Sequence, residues 1–237
     1  LTYPEVSALY NDGTGMEYPY SSNIVAKLPS ASDSYGSNNG TLMNGCTFTT
    51  GKIGKAFTFD GVSSYVSLPS PVLKFTGDFS VSLWVYIPTN SSNDQTLIGC
   101  LRQPSLWTGW SITVSNNTLY FRYGAASGGL QSYTYTNSNI ISSWKHIVIT
   151  YKNSTAIKMY IDGTLQGTQT TTLPIPYDTT HTPSIGTMVS YNGVGGNAWY
   201  AQNGTKIDAV TTWTKELTST EVTSLYNSGS GKQYPNY

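Results

Sequence analysis

Charge is scarce in this sequence. Lysine, arginine, aspartate and glutamate make up 10% of the residues, and 12 basic against 12 acidic side chains leave a formal net charge of zero. No basic face is available for a phosphate backbone or an anionic lipid surface, so no nucleic acid is expected as a partner. Long apolar runs are also missing. None approaches the roughly 18 residues that a membrane helix needs, which excludes membrane insertion by a helix, and no signal-peptide pattern is present. The chain starts at Leu1, without Met, and reads as a processed or excised piece. With two cysteines, Cys46 and Cys100, a disulfide scaffold is excluded; one bridge between them and two separately buried thiols both remain open.

The residues that do chemistry are as sparse. There are two histidines, His146 and His181, and no Gly-x-Ser-x-Gly, so nucleophilic hydrolysis lacks its parts. His146 falls inside a strand and reads as a core histidine, and His181 as loop. The four glutamates, Glu5, Glu17, Glu216 and Glu221, all lie in the terminal segments. A retaining glycosidase needs two carboxylates about 5 Å apart, commonly on one Glu-x-Asp-x-Glu strand, and no such strand exists here. Gly45 to Lys52 imitates a phosphate loop but has one residue too many and leads into a strand, so it is a turn. The expectation is a protein that is not an enzyme.

What fills the sequence instead is Ser, Thr, Asn, 23 Gly and 19 Tyr, an uncharged hydrogen-bonding surface with strand-forming rings, as suits a secreted or surface-exposed β protein. A chain of 237 residues is an ordinary size for one all-β domain. Trp144 to Thr170 anchors the reading. Trp144 to Tyr151 is rich in β-branched and aromatic residues on both parities, as in a strand covered on both faces. Ala156 to Ile161 alternates, and Asp162-Gly163 supplies a type I′ turn into Thr164 to Gln169. Phe79 to Ile87 alternates cleanly as a central strand. Cys46–Thr50, Ala56–Asp60, Tyr65–Leu68, Thr96–Arg102, Gly109–Val114, Leu119–Tyr123, Gln131–Tyr135, Ser184–Met188 and Lys206–Trp213 complete the set, with residues 21 to 45 loop-rich. About a dozen strands and a terminal helix predict a two-sheet antiparallel sandwich.

Residues 1 to 19 repeat residues 217 to 235 at a constant offset of 216, with 11 identities in 19 positions. Each copy carries a capping signature, Thr2-x-x-Glu5 and Thr218-x-x-Glu221, ahead of an apolar face made by Val6, Leu9 and Tyr10 or Val222, Leu225 and Tyr226. An Asn followed two residues later by Gly marks each stop. Residues 1–20 therefore read as the helical tail of a preceding tandem copy, with 21–237 as the domain proper and neighbouring copies as partners.

Gly51-Lys52-Ile53-Gly54-Lys55-Ala56-Phe57-Thr58-Phe59-Asp60-Gly61, Tyr65-Val66, Gly77 to Val85, Trp144 to Tyr151, Met159 to Gly163 and Ile207 to Val210, in that order, resemble the concanavalin A-like laminin-G domain family. The resemblance implies a jelly roll of two curved antiparallel sheets serving as a glycan binder, an adhesion module or an appendage of a larger protein. It also implies one structural Ca²⁺ held by Asp33 and Asp208, with Asn39 as a third ligand. The loop from Asp33 to Thr41 is rich in the oxygen donors that Ca²⁺ takes, although an Asx-turn loop without metal fits the same residues.

Sugar recognition would need exposed rings beside hydrogen-bonding groups. Trp107, Trp110, Tyr191, Trp199 and Tyr200 are the loop candidates, each of which could equally be packing; Arg102 and Arg122 flank them. Trp84, Trp144 and Trp213 sit within strands and are assigned to the core. The sequence thus predicts a calcium-stabilised carbohydrate-binding or adhesion module of a tandem-repeat surface, filament or phage-fibre protein, extracellular or on a cell or virion surface, whose ligand is a glycan or cell-surface polysaccharide. The alternative is a structural spacer repeat. Two or more of Trp107, Trp110, Tyr191 and Trp199 exposed beside a pocket would favour binding.

Overall fold

The structure is a computed structural model and describes residues 24–28, 37–102, 106–125, 127–136, 138–179, 182–188 and 199–232. The proposed N-terminal helix, Asp33, His181 and Tyr191 lie outside the described residues. Among the described residues there are fifteen strands: β1 (Ile24–Leu28), β2 (Thr41–Met43), β3 (Thr47–Thr50), β4 (Lys55–Thr58), β5 (Tyr65–Ser67), β6 (Phe79–Tyr86), β7 (Gln95–Gly99) and β8 (Trp110–Ser115). They continue with β9 (Thr118–Gly124), β10 (Leu130–Thr136), β11 (Trp144–Lys152), β12 (Ala156–Ile161), β13 (Thr164–Thr170), β14 (Ser184–Ile185) and β15 (Lys206–Trp213), and one helix follows, α1 (Ser219–Tyr226). One sheet runs β13-β12-β11-β6-β15-β4-β3, with β1 also paired to β15; the other runs β10-β9-β8-β7-β14-β5-β2. Both are antiparallel, so the chain is an all-β jelly-roll sandwich with a short terminal helix.

Alternation explains the layers. On β6 the side chains of Phe79, Val81, Leu83 and Val85 point between the sheets, as do Ile147, Ile149 and Tyr151 of β11 and Leu119, Phe121 and Tyr123 of β9; all are core residues. The opposite face of the first sheet is covered too. Val148, Tyr160 and Trp213 pack against Leu217, Val222 and Leu225 of the helical segment, which is why β11 is buried on both faces from His146 to Tyr151. At ~1.5–3 kcal/mol for each large apolar side chain removed from water, this contact is what holds so short a helix in place. Its first turn carries the expected capping box: Thr218 Oγ1 accepts from the Glu221 N–H and the Glu221 carboxylate accepts from the Thr218 N–H. Asn227 ends it in the left-handed conformation.

The meander at the heart of the sequence forms as expected. Asp162 and Gly163 both have positive φ, 51° and 76°, as the type I′ turn between β12 and β13 requires. The Asp162 carboxylate also accepts from the His146 N–H (3.0 Å) and pairs with Lys145 (2.7 Å), tying the turn to β11. Strand β15 is bent by a bulge after Asp208, with Ala209 at φ 50°. Before the bulge β15 pairs with β4, and beyond it with β1; the extra residue bends the strand and lets it change neighbours.

Candidate functional site

The segment from Trp199 to Gln202 is laced onto β7. The Thr96 N–H donates to the Trp199 carbonyl (3.0 Å), the Gln202 N–H to Gln95 Oε1 (3.1 Å), and Gln95 Nε2 to Gln202 Oε1 (2.9 Å). On the facing side, the polar loop after β6 is pinned to the β8–β9 hairpin. The Asn116 N–H donates to the Ser91 carbonyl (2.8 Å), Ser115 Oγ to the Ser92 carbonyl (3.0 Å), and the Asn117 N–H to Asn90 Oδ1 (3.0 Å). Between these two anchored segments lies an open groove of roughly 440 Å³ lined by Gly61, Ser92, Asn93, Asp94, Trp199 and Tyr200.

Arg122 of β9 forms the wall behind Trp199. Its guanidinium lies over the rings of Tyr120 (4.3 Å) and Trp199 (4.9 Å) and grips Asp94 with both ends, at 2.5 and 3.1 Å. One face of the Trp199 indole is thereby taken, and the half-buried ring offers the rest to the groove. At the far side, the Asp60 carboxylate accepts the N–H groups of Val62, Ser63 and Ser64 and the Ser64 hydroxyl. Burial alone would raise its pKa, but these donors, Ser63 first, outweigh burial and hold it below the usual carboxylate range. That clamp fixes the turn containing Gly61.

Of the expected ligand-binding residues, Trp199 and Tyr200 stand together at this groove, while of the four rings whose exposure was to favour binding only Trp199 lines it among the described residues. Trp107 does not line it: it is half-buried elsewhere, its carbonyl pressed against Gly124 at the end of β9. Trp110 must be corrected. It is fully buried, stacked with Phe79 (5.4 Å) and Phe121 (5.9 Å), and its Nε1–H donates to the Leu73 carbonyl (2.9 Å), so no ring face reaches solvent. Its parity on β8 with Ile112 and Val114 is the physical cause. Trp84 and Trp213 are core as expected, whereas Trp144 is only half-buried, because it opens β11 beyond the cover of α1 and leans on Tyr86. Arg102 is paired with Asp178 (2.9 Å). Asp94, Ser92 and Asn93 escaped sequence reasoning; the run Asn90 to Asp94 between two central strands was the available signal.

Cys46 and Cys100 are both buried and unbridged, and burial pushes each thiol up to about 12. His146 is 1% exposed, with Nε2 bonded to Ser82 Oγ (2.8 Å), and burial lowers it to about 4.

Asp208 was expected to bind calcium. It is 1% exposed, and its Oδ2 accepts from the Ile53 N–H (2.7 Å), so it pins the β3–β4 turn onto β15. A side chain at Gly51 would overlap that same oxygen, which is why the turn needs glycine there. Oδ1 is buried and has no hydrogen-bond partner among the described residues, and burial raises the group to about 6. One orphaned carboxylate oxygen fits a cation. Among the described residues, however, no group of three His, Cys, Asp or Glu side chains surrounds one, and Asn39 is exposed.

Residues 60–223 match the family model described as the concanavalin A-like lectin/glucanases superfamily, of the third laminin-G type, and the chain belongs to that family. No curated protein matches it. Among solved structures it is similar to the binding domain of Paraclostridial Mosquitocidal Protein 1, at 20% identity and TM-score 0.70, over 88% of this chain and 53% of that one. The botulinum neurotoxin serotype G binding domain matches at 20% identity and TM-score 0.63, over 82% and 47% of the two chains. For the serotype D binding domain the values are 16% and 0.66, over 89% and 52%. The chain spans about half the length of these toxin domains, and at such identities the likeness is one of fold. Among the described residues no helix is long and apolar enough to cross a membrane.

Proposed function

We propose that this chain is a non-catalytic extracellular carbohydrate-binding or adhesion module. The observation that carries the reading is the groove in which Trp199 and Tyr200 stand beside Ser92, Asn93 and Asp94: an aromatic surface for the apolar face of a pyranose, rimmed by small hydrogen-bonding groups for its hydroxyls. The toxin binding domains that share the fold, and a composition rich in uncharged polar residues, support a secreted or surface setting. Against an enzyme stands the burial of His146, which removes the one described histidine from any substrate. The test is a glycan-array screen of the chain, followed by Trp199→Ala. That substitution should weaken binding by ~1–2 kcal/mol and leave the melting temperature nearly unchanged, with Trp107→Ala as a control that leaves binding intact. An array that retains nothing would return the chain to the reading of a structural spacer.

The orphaned Oδ1 of Asp208 supports a second element of the proposal, a structural Ca²⁺ shared with Asp33 and Asn39. A cation that binds only the folded state stabilises it by about 2.7 kcal/mol at ~100 times its Kd. For a domain of this size each kcal/mol moves the melting temperature by roughly 2–4 °C, so EDTA should lower it by on the order of 5–10 °C, and Asp208→Asn should erase most of that difference. Identical melting curves with and without chelator would end the calcium reading and leave Asp208 as the clamp of the β3–β4 turn alone.

A further inference from the structure

Arg122 is the only basic residue in residues 60–65, 89–95, 115–123 and 199–205, which hold the groove's described lining and the strand behind it. That single cation is not available. Its guanidinium is bound to both carboxylate oxygens of Asp94, and its side chain is 11% exposed. A carboxylated or sulfated sugar would have to displace Asp94 from a bidentate pair, leaving that carboxylate facing the ligand's own negative charge with no second basic residue in those segments to offset it. Asp94 itself is placed to recognise something else. Each carboxylate oxygen has a second lone pair after Arg122 has taken one, Asp94 lines the groove, and its side chain is 22% exposed. A carboxylate held in this way accepts hydrogen bonds from hydroxyl groups.

We infer, on the basis of the glycan-binding reading above, that the groove selects neutral sugars over acidic ones. Asp94 accepts from two sugar hydroxyls, Asn93 and Ser92 supply further polar contacts, and Trp199 backs the ring. Arg122 is a positioning residue that fixes Asp94 and cancels its charge. The sequence places Arg122 beside the candidate rings, and the pair with Asp94 makes it a support for the carboxylate and not a ligand for an anion.

The experiment compares immobilised neutral hexose and N-acetylhexosamine oligosaccharides with the same cores capped by sialic acid, uronic acid or sulfate. The expected result is retention of neutral glycans, insensitive to added salt because no net charge is exchanged, and rejection of the capped forms. Asp94→Asn should weaken neutral binding roughly 10- to 100-fold, the value of a hydrogen bond to a charged group. It should also let the capped forms bind, because Arg122 is then free to receive an anion. A merely structural role for Asp94 would not produce that reversal. Preferential binding of the capped glycans by the unsubstituted chain would overturn the inference while leaving glycan binding intact, whereas retention of no glycan of either kind would overturn both. Should Asp94→Asn not fold, Arg122→Lys serves instead: it keeps the charge but loses the bidentate grip, and weakened neutral binding supports the positioning role. Unchanged neutral binding in either variant overturns the roles given to Asp94 and Arg122.

Discussion

Trp110→Ala should cost about 3–5 kcal/mol of stability, the range for deleting a large aromatic side chain from a core. The ring sits in a stack with Phe75, Phe79 and Phe121 at centroid distances of 6.5, 5.4 and 5.9 Å, midway between the sheets. Its removal leaves a cavity walled by rigid neighbours that cannot collapse into it. It also strips the Leu73 carbonyl of the indole N–H that it accepts from at 2.9 Å, and Leu73 itself holds a positive φ of 67°, so a strained turn loses its tie to the core. At roughly 2–4 °C per kcal/mol for this size, the melting temperature should fall by on the order of 10 °C or more. Trp199→Ala, by contrast, should barely move it. Thermal melts of the two variants side by side check this, and a Trp110→Ala curve overlying that of the unsubstituted chain would refute the core assignment.

That contrast shows what was legible in the residues. Strands with clean alternation, β6 and β12, and the Asp162-Gly163 turn could be read because their signals are local: side-chain parity, β-branching and two positive-φ positions. The helix could be read from its capping box for the same reason. Strands β1 and β2 were missed, since Ile24–Leu28 and Thr41–Met43 lie in a polar, glycine-bearing stretch and are strands only because β15 and β5 are there to pair with. Parity also held the answer for Trp110, whose alternation with Ser111, Thr113 and Ser115 places it inward with Ile112 and Val114. Its closeness to Trp107 in sequence suggested a loop pair instead.

The groove was half legible. An aromatic pair at Trp199 and Tyr200 can be suspected from composition, but the carboxylate that faces it comes from residue 94 and the guanidinium from residue 122. Nothing local to any of the three segments says that they meet. They meet because β7, β8 and β9 are consecutive neighbours in one sheet while the returning chain near Trp199 is hydrogen-bonded along β7. The pairing of Arg122 with Asp94 is thus a property of topology. The same holds for Asp208, which lies beside the bulge of β15 and bonds to a turn 155 residues earlier in the chain.

Acid should destabilise the fold through His146. The imidazole sits on β11 under the helical cover, 1% exposed, with Trp84 and Tyr226 rings 5.1 and 6.1 Å away. Its Nε2 is bonded to Ser82 Oγ, and Nδ1 has no partner among the described residues. Burial lowers its pKa from 6.5 to about 4, with Asp162 opposing more weakly in the other direction; Lys232 lines the same small cavity. In the unfolded chain the ring takes up a proton near pH 6.5, in the folded one only near 4. Between those values the unfolded state holds more protons, so stability is complete above about 6.5 and is lost as pH falls toward 4. At 1.36 kcal/mol per pH unit the loss from this one group amounts to roughly 3 kcal/mol. Carboxylates also titrate in this range, so the comparison that isolates His146 is with His146→Gln, which fills similar space and cannot ionise. The variant should be less stable than the parent at about pH 7, where Gln fits the Ser82 contact less well, and the gap should close by roughly 3 kcal/mol by about pH 4. Urea denaturation midpoints at the two pH values measure it. A gap that stays constant would mean that the folded state protonates His146 as readily as the unfolded chain does, and that the cover supplied by α1 admits water.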